Sequence, residues 1–102
     1  MYQITRNYPA DERYNLISQI RRAALSVPTN IVEGFRRTST KDSIRFYDIA
    51  NASLEELRYE ILVSRDLHYI TEGEFNIART KMEEVSKMLN AWIRSQRKNS
   101  QA

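Results

Sequence analysis

The chain has 102 residues, 41% of them apolar and 28% charged, with a formal net charge of +3. That is enough for one globular domain. No cysteine is present, which excludes disulfides, thiolate zinc sites and a cysteine nucleophile, and a single histidine removes most zinc and triad chemistry. With only two glycines and two prolines, a many-turned β-sandwich is excluded as well. No apolar run approaches the roughly 18 residues of a membrane span, and no signal-peptide core opens the chain, so a cytoplasmic location is expected.

Met1 to Asn7 carries Tyr2, Ile4 and Arg6 before Tyr8-Pro9 closes the segment. It reads as the last turns of a helix whose body is absent, and an ordinary N-terminal arm fits equally well. Residues 11–37 form the first long helix, with Ile17, Ile20, Ala24, Val27 and Ile31 at 3-4-3-4 spacing. Asp11 and Glu12 suit its N-terminal dipole, and Pro28 predicts a kink in mid-helix. A second helix is expected over 41–67, with Tyr47, Ala50, Leu54, Leu57 and Ile61 in register. The third, over 72–97, opens on Thr71-Glu72-Gly73-Glu74, a capping box, and carries Phe75, Ala78, Met82, Val85, Leu89 and Trp92. Residues 98–102 read as a polar tail. Three stretches of about 26 residues, roughly 39 Å each, joined by short connections, make an all-α, antiparallel, up-and-down bundle in one domain over 1–97.

The first two helices have more apolar surface than a lone bundle needs. Beside its core stripe the first carries Tyr14, Leu25 and Val32, and the second carries Ile49, Ala52, Tyr59 and Val63. Second strips of this kind mark an interface, and self-association through these seven residues is expected. A missing fourth helix covering them is the alternative.

Charge is unevenly spread. Residues 1–45 carry eight basic and four acidic side chains, residues 46–90 five and nine, and residues 91–102 three and none. Such a field steers a polyanion toward one end, and it equally lets subunits meet basic to acidic. Arg22, Arg36, Arg37, Lys41 and Arg45 are the candidate nucleic-acid-binding residues, acting by phosphate neutralisation. Thr38-Ser39-Thr40 between them can cap the next helix or donate to phosphate. The plainer reading pairs Arg22 and Arg36 with Glu33 and leaves the rest as solubilising charge. Arg13 lies on the core azimuth, where it either snorkels outward or pairs with a carboxylate of another helix. Asn30 and Glu33 are expected to join a partly buried polar network that fixes register.

Catalysis fails by elimination. His68 falls in the turn between the second and third helices, where a solvated or C-capping role suffices. Position 65 is arginine, so the Glu-x-x-His pair of a carboxylate-bridged metal bundle is missing, and Glu55, Glu56 and Glu60 read as a solvated face. Gly34 and Gly73 are isolated, so no glycine-rich loop cradles a phosphate. No enzyme, metal, cofactor, small-molecule substrate or membrane partner is expected.

Tyr8 to Tyr14, Ser18 to Ala24, Val27 to Phe35, Arg45-Phe46, Ser53 to Leu57 and Leu67 to Ile70 resemble the family of 23S rRNA intervening-sequence proteins. The resemblance covers roughly residues 8–93 and is most specific between Gln19 and Phe35. It implies a left-handed antiparallel four-helix bundle, commonly a homopentamer, without recognised enzymatic activity. It also implies a likeness to the basic accessory protein of diversity-generating retroelements, which makes a reverse transcriptase or other nucleoprotein an alternative partner to RNA. A remnant without selected activity is a third alternative. Family members begin with a full helix ending near Tyr8-Pro9, whereas here only Met1 to Asn7 of it remains, and Arg36 stands where a small residue is usual.

Overall fold

The computed structural model describes residues 13–101, and the side chains of 15–99. The expectations placed on Met1 to Asn7, on Asp11 and Glu12, and on the Arg13 and Tyr14 side chains lie outside these residues. A π-helical turn, Arg13–Ile17, leads into α1, Ser18–Phe35. α2 spans Thr40–Asp66 and α3 spans Glu72–Gln101. The described residues form three long helices and no strand. Among them, no helix is long and apolar enough to cross a membrane.

The ends of the helices follow local chemistry. α1 stops at Phe35, two residues short of the predicted 37. There the Arg36 N–H is shared between the Val32 and Glu33 carbonyls at 3.2 Å each, a tightening that ends the α ladder. Ser39 caps α2, its Oγ accepting from the Asp42 N–H at 3.4 Å. The capping box of α3 is complete: the Glu74 N–H donates to Thr71 Oγ1 at 3.0 Å, and the Thr71 N–H donates to Glu74 Oε1 at 2.9 Å. α3 does not stop at Arg97. Ser95 to Gln101 contains no glycine or proline, so the helix runs on through most of the expected tail. α1 is continuous through Pro28, whose ring leaves the Ala24 carbonyl without its helical donor.

The α2–α3 connection is closed by His68, the only described non-glycine residue at positive φ (62°). Its N–H donates to the Arg65 carbonyl and that of Tyr69 to the Ser64 carbonyl, both at 2.9 Å, which is the bonding pattern of a Schellman motif. A β-carbon in the left-handed region costs roughly 1 kcal/mol. His68→Gly is therefore expected to raise Tm by a few degrees, checked by thermal denaturation, and a fall would contradict this role.

α2 is the middle of the molecule and packs against both α1 and α3. Its predicted stripe is buried as expected: Tyr47, Ala50, Leu54, Leu57 and Ile61 are all 5% exposed or less. The larger core cluster joins these last three to Ile17, Ile20 and Val27 of the first helix and Phe75, Ala78 and Met82 of the third. Burial of each large side chain is worth about 1.5–3 kcal/mol, which is what holds helices that propensity alone would not. Register is set by two matching polar links. Asn30 Nδ2 donates to Ser26 O and Oγ, and Ser26 Oγ meets Ser53 Oγ of α2 at 2.8 Å. On the other flank Asn90 Nδ2 donates to Ser86 O and Oγ, and Asn90 Oδ1 accepts from Asn51 Nδ2 at 3.1 Å. The network expected around Asn30 is thus present, but Glu33 takes no part in it.

α1 and α3 do not close on each other. Between them runs an apolar groove on the side away from α2, with cavities of about 360 Å³ and 410 Å³. Ala24, Val27, Pro28 and Ile31 form one wall, and Met82, Val85 and Met88 the other. Trp92, predicted for the core, lines this groove and is 42% exposed, while Ile93 is buried in its stead.

Candidate nucleic-acid interface

α1 and α3 both run antiparallel to α2, so their C-terminal ends meet the start of α2. Four contacts fix this end: Ser43 Oγ donates to Gly34 O at 2.8 Å, Arg97 Nη2 lies 3.3 Å from Asp48 Oδ2, and the Phe35 and Trp92 rings both stand edge-on to Tyr47. Topology thereby collects cations that are far apart in sequence. Arg36 and Arg37 come from the α1–α2 connection, Lys41 and Arg45 from the first turns of α2, and Arg94, Arg97 and Lys98 from α3; all seven are exposed. The sequence reading missed the last three. Their charge was visible, but only the order of the helices brings it to this end.

Several of these side chains are held in place. The Arg37 guanidinium sits 4.5 Å from the centre of the Phe46 ring, pairs with the Glu33 carboxylate and donates through Nε to the Glu33 carbonyl. Arg45 lies 4.9 Å from the same ring centre. Cation–π contact orders a guanidinium while leaving its edges free to donate. Arg36 stands 3.7 Å from Glu33 with its side chain 74% exposed, a pair of small energetic consequence. The predicted pairing with Glu33 therefore holds for Arg36, is joined by Arg37, and fails for Arg22.

Arg22 does not belong to this cluster. It precedes Arg36 by 14 residues, about 21 Å of helix, so a shared azimuth does not bring the two together. Its charge is felt instead by Glu60 of α2. That residue is 5% exposed, and among the described residues its Oε1 has no hydrogen-bond partner. Burial, reinforced by the neighbouring Glu56, pushes the Glu60 carboxyl up to about 7 against the pull of Arg22. Glu60 is thus no part of a solvated acidic face, as the sequence suggested.

Of the predicted interface residues, Leu25, Val32, Ile49 and Tyr59 are 64%, 53%, 41% and 67% exposed, and Ala52 is exposed too. Val63 is half-buried against the main core and is used within the chain. Tyr14 lies outside the described side chains. The two strips differ in setting: on α2, Ile49 and Ala52 line a shallow depression with Lys41 and Arg45, and Tyr59 lines a cleft shared with Phe75 and Arg79 of α3, whereas Leu25 and Val32 of α1 are not among the residues that line the α1–α3 groove. Phe35, Ile77 and Met88, unremarked in the sequence, are 60–67% exposed.

The described residues thus define an all-α bundle of long antiparallel helices with a concentrated basic end. The chain belongs to the 23S rRNA-intervening sequence protein family, whose model matches residues 1–91. No curated protein matches it.

Proposed function

We propose that this protein is a non-enzymatic, self-associating helical bundle that binds nucleic acid, structured RNA foremost, through its basic end. The observation that carries the reading is the convergence of Arg36, Arg37, Lys41 and Arg45 with Arg94, Arg97 and Lys98 where three helix ends meet. The end carries seven cations against Glu33, Asp42 and Asp48, and two of its guanidinium groups are pre-ordered on Phe46. Phosphate contacts of this kind release counterions, so affinity falls steeply with salt and depends little on base sequence. Repetition of the site in an oligomer adds avidity. Membership of a family named for 23S rRNA intervening sequences makes RNA the first polyanion to test. Catalysis has no part in this reading: the lone imidazole closes α2, and Gly34 lies against the Tyr47 ring.

The test is fluorescence anisotropy with an RNA hairpin at several salt concentrations. Replacing Arg36, Arg37 and Lys41 by glutamine is expected to weaken binding at least tenfold and to lower the log–log salt slope by about 2. Arg22→Gln, some 21 Å away along α1, is expected to leave both unchanged. Unaltered binding by the triple variant would remove the basic end as the site.

A further inference from the structure

We infer that the Phe46 ring, with the two guanidinium groups over it, is a stacking platform for one unpaired nucleobase. The basic end thereby takes a bulge or loop of folded RNA in preference to continuous duplex. The inference rests on the nucleic-acid reading above and names the form of RNA that the same site selects.

The chain builds this arrangement twice, and the difference between the two separates scaffold from site. At the other end of the molecule Arg65 and Arg79 lie 4.4 Å and 5.8 Å from the centre of the Phe75 ring. That ring is 8% exposed, and its cations are answered, Arg65 by Asp66 and Glu72 and Arg79 by Glu83. Phe75 is a packing unit of the core. Phe46, by contrast, is only half-buried, with Arg37 and Arg45 at 4.5 Å and 4.9 Å from its centre. Its cations are not all answered: Arg37 shares the Glu33 carboxylate with Arg36, and Arg45 has no carboxylate partner among the described residues.

Geometry and charge choose the ligand. Glu33 holds one edge of Arg37, its carboxylate pairing with Nη2 and its carbonyl accepting from Nε at 3.3 Å. The guanidinium plane is thereby fixed, Nη1 is left to donate, and the side chain is still 40% exposed. A duplex keeps its bases stacked on one another and offers this end phosphates alone. An unpaired base offers a π-face as well, and such faces stack on aromatic rings and guanidinium planes alike. Arg36 and Lys41, on either side of Arg37 in the chain, then hold the flanking phosphates. Every base has a π-face, so the selection is for unpaired bases and not for sequence.

The test compares a duplex RNA carrying a short bulge with the same duplex lacking it, by fluorescence anisotropy at several salt concentrations. The unaltered protein is expected to bind the bulged RNA about tenfold more tightly, the worth of one stacked base. Phe46→Leu is expected to erase most of that preference and to leave the salt slope unchanged, because no charge is removed. Phe46→Tyr keeps an aromatic face and is expected to retain the preference. Arg45→Lys, at an exposed position, keeps the charge and loses the plane, and is expected to lower the preference roughly two- to threefold. Circular dichroism checks that each variant is folded. Equal affinity for the two RNAs, lost when Arg36, Arg37 and Lys41 are glutamine, would overturn the platform and leave the basic end standing. A preference for the bulge that survives both Phe46→Leu and Arg45→Lys would overturn the platform too. Absence of binding to either RNA at low salt would overturn the platform and the nucleic-acid reading together.

Discussion

Gly34→Ala is expected to destabilise the fold by about 2–3 kcal/mol, roughly 10–20 °C in Tm for a domain of this size. A β-carbon at position 34 would lie 2.8–2.9 Å from Cδ1 and Cζ of Tyr47 and closer still to Cε1. The ring has nowhere to retreat. It is 2% exposed, bounded edge-on by Phe35 and Trp92, and packed with Ala50, Leu89 and Ile93. Relief therefore requires α1 to move off α2, which stretches the Ser43 Oγ to Gly34 O hydrogen bond. The gain in helix propensity from glycine to alanine, about 1 kcal/mol, offsets only part of this. Thermal or urea denaturation measures the effect, and the double variant with Tyr47→Leu is expected to be less destabilised than the sum of its parts. A rise in Tm for Gly34→Ala alone would show that the helices do not approach as closely as described.

Glu60→Gln is expected to stabilise the protein at pH 8 and to make much less difference at pH 5. A carboxyl held near 7 in the folded chain and near 4.5 when unfolded binds more protons in the fold. Its contribution is thus fully present below 4.5 and is lost as pH rises through 7, where a buried anion remains, offset in part by Arg22. At 1.36 kcal/mol per pKa unit the full change is about 3 kcal/mol, most of which falls between pH 5 and pH 8. Glutamine fills the same space without a charge, so the difference in Tm between variant and parent is expected to widen by roughly 10–20 °C from pH 5 to pH 8. An equal difference at both values would mean that Glu60 does not titrate between them.

Most of the architecture could be read from the chain because each device is local. The 3-4 spacing of Tyr47 to Ile61 and the Thr71–Glu74 capping box depend on neighbours within one or two turns, and both stand as predicted. Features that depend on two helices at once were hidden. Nothing in the spacing around Gly34 announces a tyrosine ring thirteen residues later. Arg94 and Lys98 join Arg36 and Lys41 only because α3 runs parallel to α1. Arg22 failed for the opposite reason: its azimuth is right, but 14 residues of helical rise carry it to another neighbourhood. Trp92 was assigned to the core because the stripe on α3 is broader than the surface α2 covers. The excess apolar positions face the groove, and amphipathic period does not distinguish a core from an interface.

Trp92 is also the only tryptophan in the chain, and it stands 6.0 Å from Phe35 and 6.4 Å from Tyr47. Its emission and the near-ultraviolet dichroism of this ring cluster therefore report on one end of the molecule alone, while far-ultraviolet dichroism averages over every turn. If the π-helical start of the first helix frays before the aromatic end opens, the far-ultraviolet signal falls first and the two melting curves separate. Coincident curves would instead make this single indole a sufficient optical probe of cooperative unfolding, without labels or added chromophores.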